Sequence, residues 1–353
     1  MKFVTKLGCM LLAFLTVNLV YMFYDHDGTW YRRDGGATSG IYRPGSYISN
    51  MKEGIGFRVA DQNGYLNKSS ALSDKAIIVY GKSHTNALEV PDGKRYVSLL
   101  NEKMSSGDMV KVYSVARGGN SFADMICGFH ALVEEFDNAS SIIMEITEVG
   151  DLQDIENALV QRTYTDADTV PYLEKHQSIP RKGLSFVKEY LPLFAAILNK
   201  VDVNKLLPQS TLMNAGDIVQ KWIPNIDNSN QKDNHNEFVR QERTVEQPVL
   251  EQAMSLIRSQ YEGRIIIFYH PEISIVSADE LCVYRMDNYD ELKMACEHHD
   301  IYFCDMSDVF RKSYQNDHCV PYGFWNTRMG TGHLNAEGHK MIADTLYENF
   351  FKE

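Results

Sequence analysis

The stretch Ala76-Ile-Ile-Val-Tyr-Gly-Lys-Ser-His-Thr85 is an apolar, β-rich run that ends in a glycine and a serine. Near the other end of the chain, Gly323-Phe-Trp-Asn-Thr-Arg-Met-Gly-Thr-Gly-His-Leu-Asn-Ala-Glu-Gly-His339 places His333 in a glycine-rich loop before a helical pattern. A serine after the first strand and a histidine before the last helix can meet in an α/β fold. The pair therefore predicts nucleophilic acyl chemistry.

Short apolar runs recur along the chain, and helical patterns separate most of them. The runs are Ala76–Tyr80, Val110–Val115, Ser141–Ile146, Arg264–Tyr269 and Ile301–Cys304, and the helical patterns are Ser121–Phe136, Asn288–His298 and Asn335–Phe351. Continuous apolar strands that alternate with helices indicate a parallel sheet covered on both faces. We expect a flavodoxin-like three-layer α/β/α sandwich with a mainly parallel five-stranded sheet over residues 71–353.

The interval from about residue 151 to 262 interrupts this rhythm. Helical patterns cover Asp154–Arg162, Leu184–Lys200 and Val245–Tyr261, and the polar stretch Asn225–Thr244 reads as a mobile loop. We expect a mostly helical insertion between the third and fourth strands, because the α/β pattern resumes after it. A separate domain is the alternative. Leu184–Lys200 is interpreted as a helix packed on the core or as a surface that lies against the membrane.

The N-terminal residues 1–25 are typical of a membrane segment. Lys2 and Lys6 precede Leu7–Tyr24, which carries no charge. A helix needs about 20 apolar residues to cross a bilayer. We expect an uncleaved signal anchor, since no small-x-small cleavage site is evident; a cleaved signal peptide is the alternative. The lysine flank predicts an inside N-terminus and an extracytoplasmic body.

Residues 26–70 are predicted to be a juxtamembrane linker. They are rich in glycine, aspartate, arginine and tyrosine and show no periodicity. A short hairpin over Ile55–Asn67, with Asn63-Gly64 as its turn, is the one element expected there.

The composition excludes some classes of function. The 353 residues carry a formal net charge of −12, and no basic run stands out, so nucleic acid is not expected as a partner. Six cysteines show no metal-like CxxC spacing, so neither a disulfide framework nor a structural zinc is predicted. No metal and no other cofactor is expected.

The serine and histidine blocks resemble those of the SGNH (GDSL-like) hydrolase superfamily. Gly81-Lys-Ser-His-Thr85 matches the Gly-Asp-Ser-x-Thr block, with lysine in place of aspartate. The loop Val115–Ser121 matches the oxyanion-glycine block, with Gly119 as the first choice and Gly118 as the next. His333, with Asn335 and Gly338 after it, matches the last block. The resemblance implies Ser83 as nucleophile, His333 as general base and Gly119 in the oxyanion hole.

Two positions depart from the superfamily pattern. Met144–Asp151 lacks the asparagine of the third block, and Gly330 stands where the last block has its aspartate. A substitute acid for His333 is expected, with Glu148 or Asp317 as the leading side chains. Asp305 and Glu145 are further candidates, and a backbone carbonyl of the loop 326–332 is the alternative.

Other polar residues are expected to replace the missing oxyanion-donor asparagine and to contact the substrate. Asn120, Asn326 or Thr147 could donate to the oxyanion. The expected substrate-binding residues are His84, Asn120, His270 and Asn326.

These features together predict an extracytoplasmic serine acyl esterase or O-acyltransferase. An acylated glycan of the cell envelope or an exported polysaccharide is the expected substrate, by resemblance to members of the superfamily that modify glycans. The N-terminal helix would bind the membrane, and a membrane acyltransferase is a partner that this interpretation allows. One alternative is a catalytically inactive SGNH-like module that binds glycan or organises an export machine; another is a lipid esterase.

Overall fold

The computed structural model describes residues 2–26, 28, 30–32, 36–104, 110–150, 152–162, 190–191, 193 and 247–352. The chain divides into two compact units: residues 1–29 with 174–242, and residues 30–173 with 243–353. Most of Leu184–Lys200 and all of Asn225–Thr244, for which a helix and a mobile loop were predicted, lie outside the described residues.

The first unit contains a long apolar helix, α1 (Lys2–Tyr24), followed by a two-residue strand, β1 (Asp25–His26). Residues Phe3–Tyr24 have a mean hydropathy of 1.9 and are long enough to cross a membrane. Asn18, a polar residue within this helix, has partners from another segment of the same unit. The Asn18 amide donates to the Tyr190 carbonyl at 2.9 Å and accepts from Leu193 N–H at 3.2 Å.

The second unit carries the sheet and its helices. Its elements in chain order are β2 (Trp30–Arg32), β3 (Gly40–Tyr42), β4 (Tyr47–Asn50), β5 (Gly56–Val59), β6 (Leu72–Gly81), α2 (Ser83–Asn86), a 3₁₀ turn (Asp92–Lys94), α3 (Tyr96–Met104), β7 (Val110–Ala116), α4 (Phe122–Glu135), β8 (Ala139–Ile146), α5 (Leu152–Arg162), α6 (Gln247–Gln260), β9 (Arg264–Tyr269), β10 (Glu272–Ser277), β11 (Glu280–Tyr284), α7 (Tyr289–His298), β12 (Tyr302–Asp305), α8 (Ser307–Asp317), α9 (Ala336–Leu346) and a π-helical turn (Tyr347–Phe351).

The main sheet has five strands in the order β12-β9-β8-β6-β7, and each neighbouring pair is parallel. Numbered along the chain, these strands lie in the order 2-1-3-4-5, which is the flavodoxin-like arrangement. The predicted fold class is therefore confirmed. Because all five strands run the same way, their carboxyl ends share one edge, where ligands of such sheets bind.

The apolar strands bury both faces of the sheet. On β8, Ile142 and Met144 belong to one buried cluster and Ile143 to the other. The first cluster includes residues of α4, α5, α6 and α7, and the second includes residues of α3, α8 and α9. Each buried aliphatic side chain contributes about 1.5–3 kcal/mol relative to an exposed one. This two-sided burial explains why the strands are continuous apolar runs rather than alternating ones.

The predicted linker over residues 26–70 is wrong for most of its length. Strands β2 and β3 pair antiparallel, as do β4 and β5, and Ile48, Ala60 and Leu66 form a small buried cluster. The hairpin expected to turn at Asn63-Gly64 lies elsewhere in the structure. Strand β5 pairs with β4, the strand before it, and residues 51–55 form the loop of that hairpin. The Asp61 carboxylate instead accepts from Asn63 N–H and Tyr65 N–H and closes a local turn.

Helices α3 and α8 and the β10–β11 hairpin were not expected from the sequence either. The helices predicted at Ser121–Phe136, Asn288–His298 and Asp154–Arg162 form with ends within two residues of those expected. All six cysteines are free thiols.

Candidate active site

The turn that presents Ser83 is built around a buried carboxylate. β6 ends at Gly81, and Ser83 is the first residue of α2. The Glu145 Oε2 atom accepts from Lys82 N–H at 3.0 Å, from Thr85 N–H at 2.9 Å and from the Thr85 hydroxyl. A Cβ at Gly81 would overlap both Thr85 and Glu145. Glycine is therefore required at this position, and Glu145 fixes the conformation of the turn.

Glu145 lies at the carboxyl end of β8 and is fully buried. Burial alone would raise its pKa. The hydrogen bond with His270 and the charges around it outweigh this effect and hold the pKa of Glu145 well below its usual value. The carboxylate is therefore ionised, which strengthens its hydrogen bonds to the serine turn.

His270 is a buried partner of Glu145 and does not face a substrate, contrary to the sequence-based expectation. It is 0% exposed, and its Nε2 atom lies 3.3 Å from Glu145 Oε1. The Tyr322 hydroxyl donates its one proton to the Pro271 carbonyl at 2.7 Å, so at 2.8 Å it must accept from His270 Nδ1. Burial lowers the pKa of His270, and its contact with the Glu145 carboxylate opposes that change.

His333 is held by Glu53, a residue that the sequence analysis did not single out. Glu53 Oε1 accepts from the His333 backbone N–H, and Oε2 contacts Nδ1, both at 2.7 Å. Gly332 has φ +78° and a Cβ there would overlap the Glu53 carboxylate, so this loop needs glycine. Because the carboxylate holds the Nδ1 proton, Nε2 is the atom free to act as a base.

The charge around His333 favours its protonated form. Burial alone would lower the pKa of the imidazole. The carboxylates of Glu89 and Glu53 outweigh burial and raise the pKa above its usual value. The imidazolium that forms when a base takes a proton is thus stabilised in place.

Asn326 fixes the turn that carries Glu53. Its side-chain carbonyl accepts from Gly54 N–H at 2.9 Å, and its amide donates to the Met51 carbonyl at 3.0 Å. Asn326 was expected to bind substrate. Its amide group is instead used to position residues 51–54, so its role in the structure is to hold the acid in place.

The two leading side chains for the acid lie elsewhere. Glu148 is exposed, and its nearest ion-pair contact is Lys82 Nζ at 3.9 Å. Asp317 is the last residue of α8, exposed at the surface. In the structure neither side chain contacts His333, whose Nδ1 atom is bound by Glu53 instead. The reason is that Glu53 comes from the hairpin loop between β4 and β5, which the sequence analysis had assigned to a linker.

Ser83 and His333 lie in neighbouring turns that are hydrogen-bonded to each other. The Leu334 backbone N–H donates to His84 Nδ1 at 3.1 Å. His84 follows Ser83 directly, Leu334 follows His333, and the His84 and His333 rings lie 5.0 Å apart between centroids. His84 is therefore fixed by the main chain of the histidine loop, and it joins the nucleophile turn to the loop of the base.

The loop after β7 offers donors for an oxyanion. Arg117 N–H donates to the Gly81 carbonyl at 3.2 Å, so this loop begins against the serine turn. Gly119 is exposed, with φ +85°. Asn120 is 4% exposed, and its Nδ2 donor has no hydrogen-bond partner among the described residues. A buried unpaired amide is costly, so the Asn120 amide is available to a partner that the structure does not contain.

Two groups of described residues bring three potential metal ligands within 4.8 Å of one another: His84, Glu145 and His270, and Glu53, Glu89 and His333. In both groups a histidine Nδ1 already takes part in a hydrogen bond, from Leu334 N–H in one and with Glu53 in the other.

Comparisons with known proteins give structural neighbours only. No protein-family model and no curated protein matches the chain. A lipolytic G-D-S-L family protein from Veillonella parvula is 14% identical, with 79% of this chain and 100% of that one covered and a TM-score of 0.36. The acetyl xylan esterase AlAXEase is 11% identical over 78% and 100% of the two chains, with a TM-score of 0.36. The psychrotrophic esterase EstA from Pseudoalteromonas sp. is 13% identical over 79% and 97%, with a TM-score of 0.35.

Each of these proteins is only similar to the chain, at low identity. The structure brings the turn of Ser83 and the loop of His333 together at one edge of a parallel sheet. In these motifs and in its sheet order, the chain resembles the SGNH (GDSL-like) hydrolases.

Proposed function

We propose that this protein is a serine acyl esterase or O-acyltransferase. The observation that carries the proposal is the double hydrogen bond of Glu53 to His333, next to the turn of Ser83. A serine hydroxyl is a weak nucleophile until a base takes its proton, and a histidine base works best when a third group fixes its tautomer. Ser83, His333 and Glu53 match these three roles.

The reaction follows from the three roles. The Ser83 Oγ attacks the acyl carbonyl carbon while His333 Nε2 takes the hydroxyl proton. The backbone N–H groups of Ser83 and Gly119 and the Asn120 amide donate to the oxyanion. When the tetrahedral species collapses, Nε2 returns the proton to the leaving alcohol, and an acyl-serine remains. Water, or the hydroxyl of an acceptor, then attacks the acyl group by the same route, and His333 again takes and returns the proton.

A polysaccharide at the cell envelope is the substrate class we propose. Helix α1 would keep the enzyme at a membrane, and the lysine flank favours an extracytoplasmic body. Trp325 lies in the same loop as His333 and is 78% exposed. The loop around it is fixed, because the neighbouring Phe324 is buried against Ala87 and Val90. An exposed, rigidly held indole offers a flat apolar face that can stack on a sugar ring.

A non-catalytic glycan-binding or export module is the second candidate. The observation that favours it is the absence of the third-block asparagine in Met144–Asp151. The ionised Glu145 at that block accepts hydrogen bonds and so cannot replace an oxyanion donor. The two candidates differ in one property: only the enzyme needs a reactive Ser83.

A fluorophosphonate probe on the full-length protein in detergent separates the candidates. We expect wild type to be labelled and Ser83→Ala to be unlabelled, with the same circular dichroism spectrum. Ser121→Ala is the matched control, since Ser121 also lies at a strand-to-helix junction of this sheet edge, as the N-cap of α4. Absence of labelling in folded wild type, or labelling of Ser83→Ala at the wild-type rate, would overturn the hydrolase proposal.

A further inference from the structure

A second carboxylate, Glu89, lies next to the Glu53–His333 pair. Its Oε1 atom is 3.8 Å from His333 Nδ1, and the residue is 6% exposed. The same oxygen accepts a hydrogen bond from the Asn50 amide at 3.2 Å. The other oxygen, Oε2, is buried and has no hydrogen-bond partner among the described residues.

The chain is built to bring Glu89 and Glu53 together. The Ile55 N–H donates to the Glu89 carbonyl at 2.8 Å. A Cβ at Gly54 would overlap the same carbonyl, and one at Gly56 would overlap the Leu88 carbonyl. Two glycines therefore allow the loop of Glu53 to lie directly on the segment of Glu89.

The buried guanidinium of Arg58 fixes the segment that carries Glu89. It donates to the carbonyls of Ala87 at 3.0 Å and Val90 at 2.7 Å, one on each side of Leu88 and Glu89. Glu89 is thus held in place by its backbone as well as by Asn50. A residue held in this way keeps its carboxylate beside His333 even though that position is unfavourable for a lone charge.

Burying the Glu89 carboxylate costs free energy, and a nearby positive charge offsets part of that cost. A buried polar group with an unmade hydrogen bond costs about 1–3 kcal/mol, and more when it is charged. Two positive groups among the described residues interact with the charge of Glu89: Arg58 and the His333 imidazolium. The Arg58 guanidinium donates its hydrogen bonds to backbone carbonyls rather than to Glu89. In the proposed reaction that imidazolium forms each time Nε2 takes the serine proton.

We propose that Glu89 is a positioning residue that acts through His333: together with Glu53, it forms a pair of carboxylates that stabilises the imidazolium during acyl transfer. The inference deepens the proposed function and depends on it for its catalytic meaning. The position of both carboxylates beside His333 is present without substrate and can be tested without activity. Glu53 directs the Nδ1 proton, while Glu89 adds negative charge to the same side of the ring.

Other charged groups also face His333 and Glu89, and they are left unsubstituted in the test. Around His333 these are Glu53, Glu89 and, further away, Glu145, with the rings of His84 and His270 in the same cluster. Around Glu89 they are His333, Glu53 and Arg58. Burial raises the pKa of Glu89, and the His333 charge opposes that rise.

The direction of the pH effect follows from these charges. Removing a carboxylate beside His333 destabilises its imidazolium, so the pKa of His333 falls. A base is active when it is unprotonated, and the acid limb of kcat/KM should therefore move to lower pH in Glu89→Gln. At 3.8 Å, with an effective dielectric constant between that of the protein surface and that of water, the change amounts to about one to three pH units.

The test measures the pKa of His333 directly, without activity. Full-length protein in detergent, with ¹³C-labelled histidine, is titrated by NMR, and the His333 signal is assigned from its loss in His333→Gln. We expect the pKa to fall in Glu89→Gln, to stay raised in Glu89→Asp, and to be unchanged in Glu148→Gln, the matched control for an exposed glutamate of the same edge. An unchanged pKa in folded Glu89→Gln overturns the proposal.

Kinetics then separate this proposal from the proposed function. On an activated acetyl ester, Glu89→Gln should shift the acid limb and lower kcat about tenfold, with little change in KM. If Ser83→Ala is as active as wild type but the NMR shift is seen, the carboxylate pair stands and the hydrolase proposal falls. If Glu89→Gln does not fold, a ¹³C titration of Glu89 in the unaltered chain decides: a charged Glu89 while His333 titrates supports the pair, and a Glu89 protonated from pH 5 to 9 overturns it.

Discussion

The carboxylate of Glu53 binds His333 twice, at the backbone N–H and at Nδ1, each at 2.7 Å. Glu53 precedes the histidine by 280 residues and lies before the first strand of the main sheet. The last motif block has glycine at the aspartate position, so the acid comes from a different part of the chain. This contact gives His333 a carboxylate partner at Nδ1 from outside its own motif block.

Ser83 and His333 should act as one unit. Ser83→Ala and His333→Ala are each expected to remove most of kcat on an activated acetyl ester, and the double variant should cost little more than either single one, because both remove the same proton transfer. The measurement is steady-state turnover of folded protein. Additive losses would argue that the two residues do not share a step.

Glu53→Gln should keep the fold and lower kcat by roughly two to four orders of magnitude, because the amide cannot stabilise the imidazolium and can hold the wrong tautomer. Glu148→Gln and Asp317→Asn are the matched controls and should stay within about threefold of wild type, since both side chains are exposed and away from His333. A large loss of kcat in either control would indicate that Glu148 or Asp317, rather than Glu53, orients His333.

Glu145→Gln should destabilise the protein, because the ionised carboxylate accepts hydrogen bonds from Lys82 and Thr85. Loss of the charged acceptor should lower the free energy of unfolding by about 1–3 kcal/mol at pH 7. The folded pKa lies below the unfolded value of about 4.3, so the contribution is present above that pH and is lost as pH falls further. Urea unfolding of both proteins from pH 7 to pH 3 checks this: a difference that grows on acidification would contradict it.

Trp325→Ala should raise KM for an acetylated oligosaccharide about twofold to tenfold and leave turnover of a small activated ester unchanged, since an aromatic stacking contact contributes about 0.5–1.5 kcal/mol. Trp325→Phe keeps an aromatic face and should lie between the two. Equal KM values for wild type and Trp325→Ala on the oligosaccharide would remove the support that Trp325 gives to a glycan substrate.

Helix α1 should cross the membrane once, with the catalytic unit outside the cytoplasm. The uncharged run and the lysines before it predict this orientation. Protease added to intact cells should digest the body, while a cytoplasmic marker protein stays whole. Protection of the body until the membrane is opened would show the opposite orientation.

Much of the fold was predictable from local pattern. The apolar runs of β6, β8 and β9 are buried on both faces, and this double burial is itself what makes them continuous in sequence, whereas Tyr302 of the edge strand β12 is 49% exposed. The approach of the Ser83 turn to the His333 loop was predictable as well, because a tight turn after a strand and a glycine-rich helix entry leave local signatures. Helix α3 and the β10–β11 hairpin were missed because their apolar spacing is weak and their burial depends on contacts with distant elements.

The sequence by itself determined the α/β class with a mainly parallel five-stranded sheet, and it predicted that Ser83 and His333 lie at one edge of that sheet. Only the tertiary structure decided which carboxylates serve them. Glu53, Glu89 and Glu145 come from a hairpin loop, the segment after α2 and the end of β8, and no spacing along the chain relates them. Their roles depend on burial and on distances across the fold, and a carboxylate acquires such a role from its neighbours in space rather than from its neighbours in sequence.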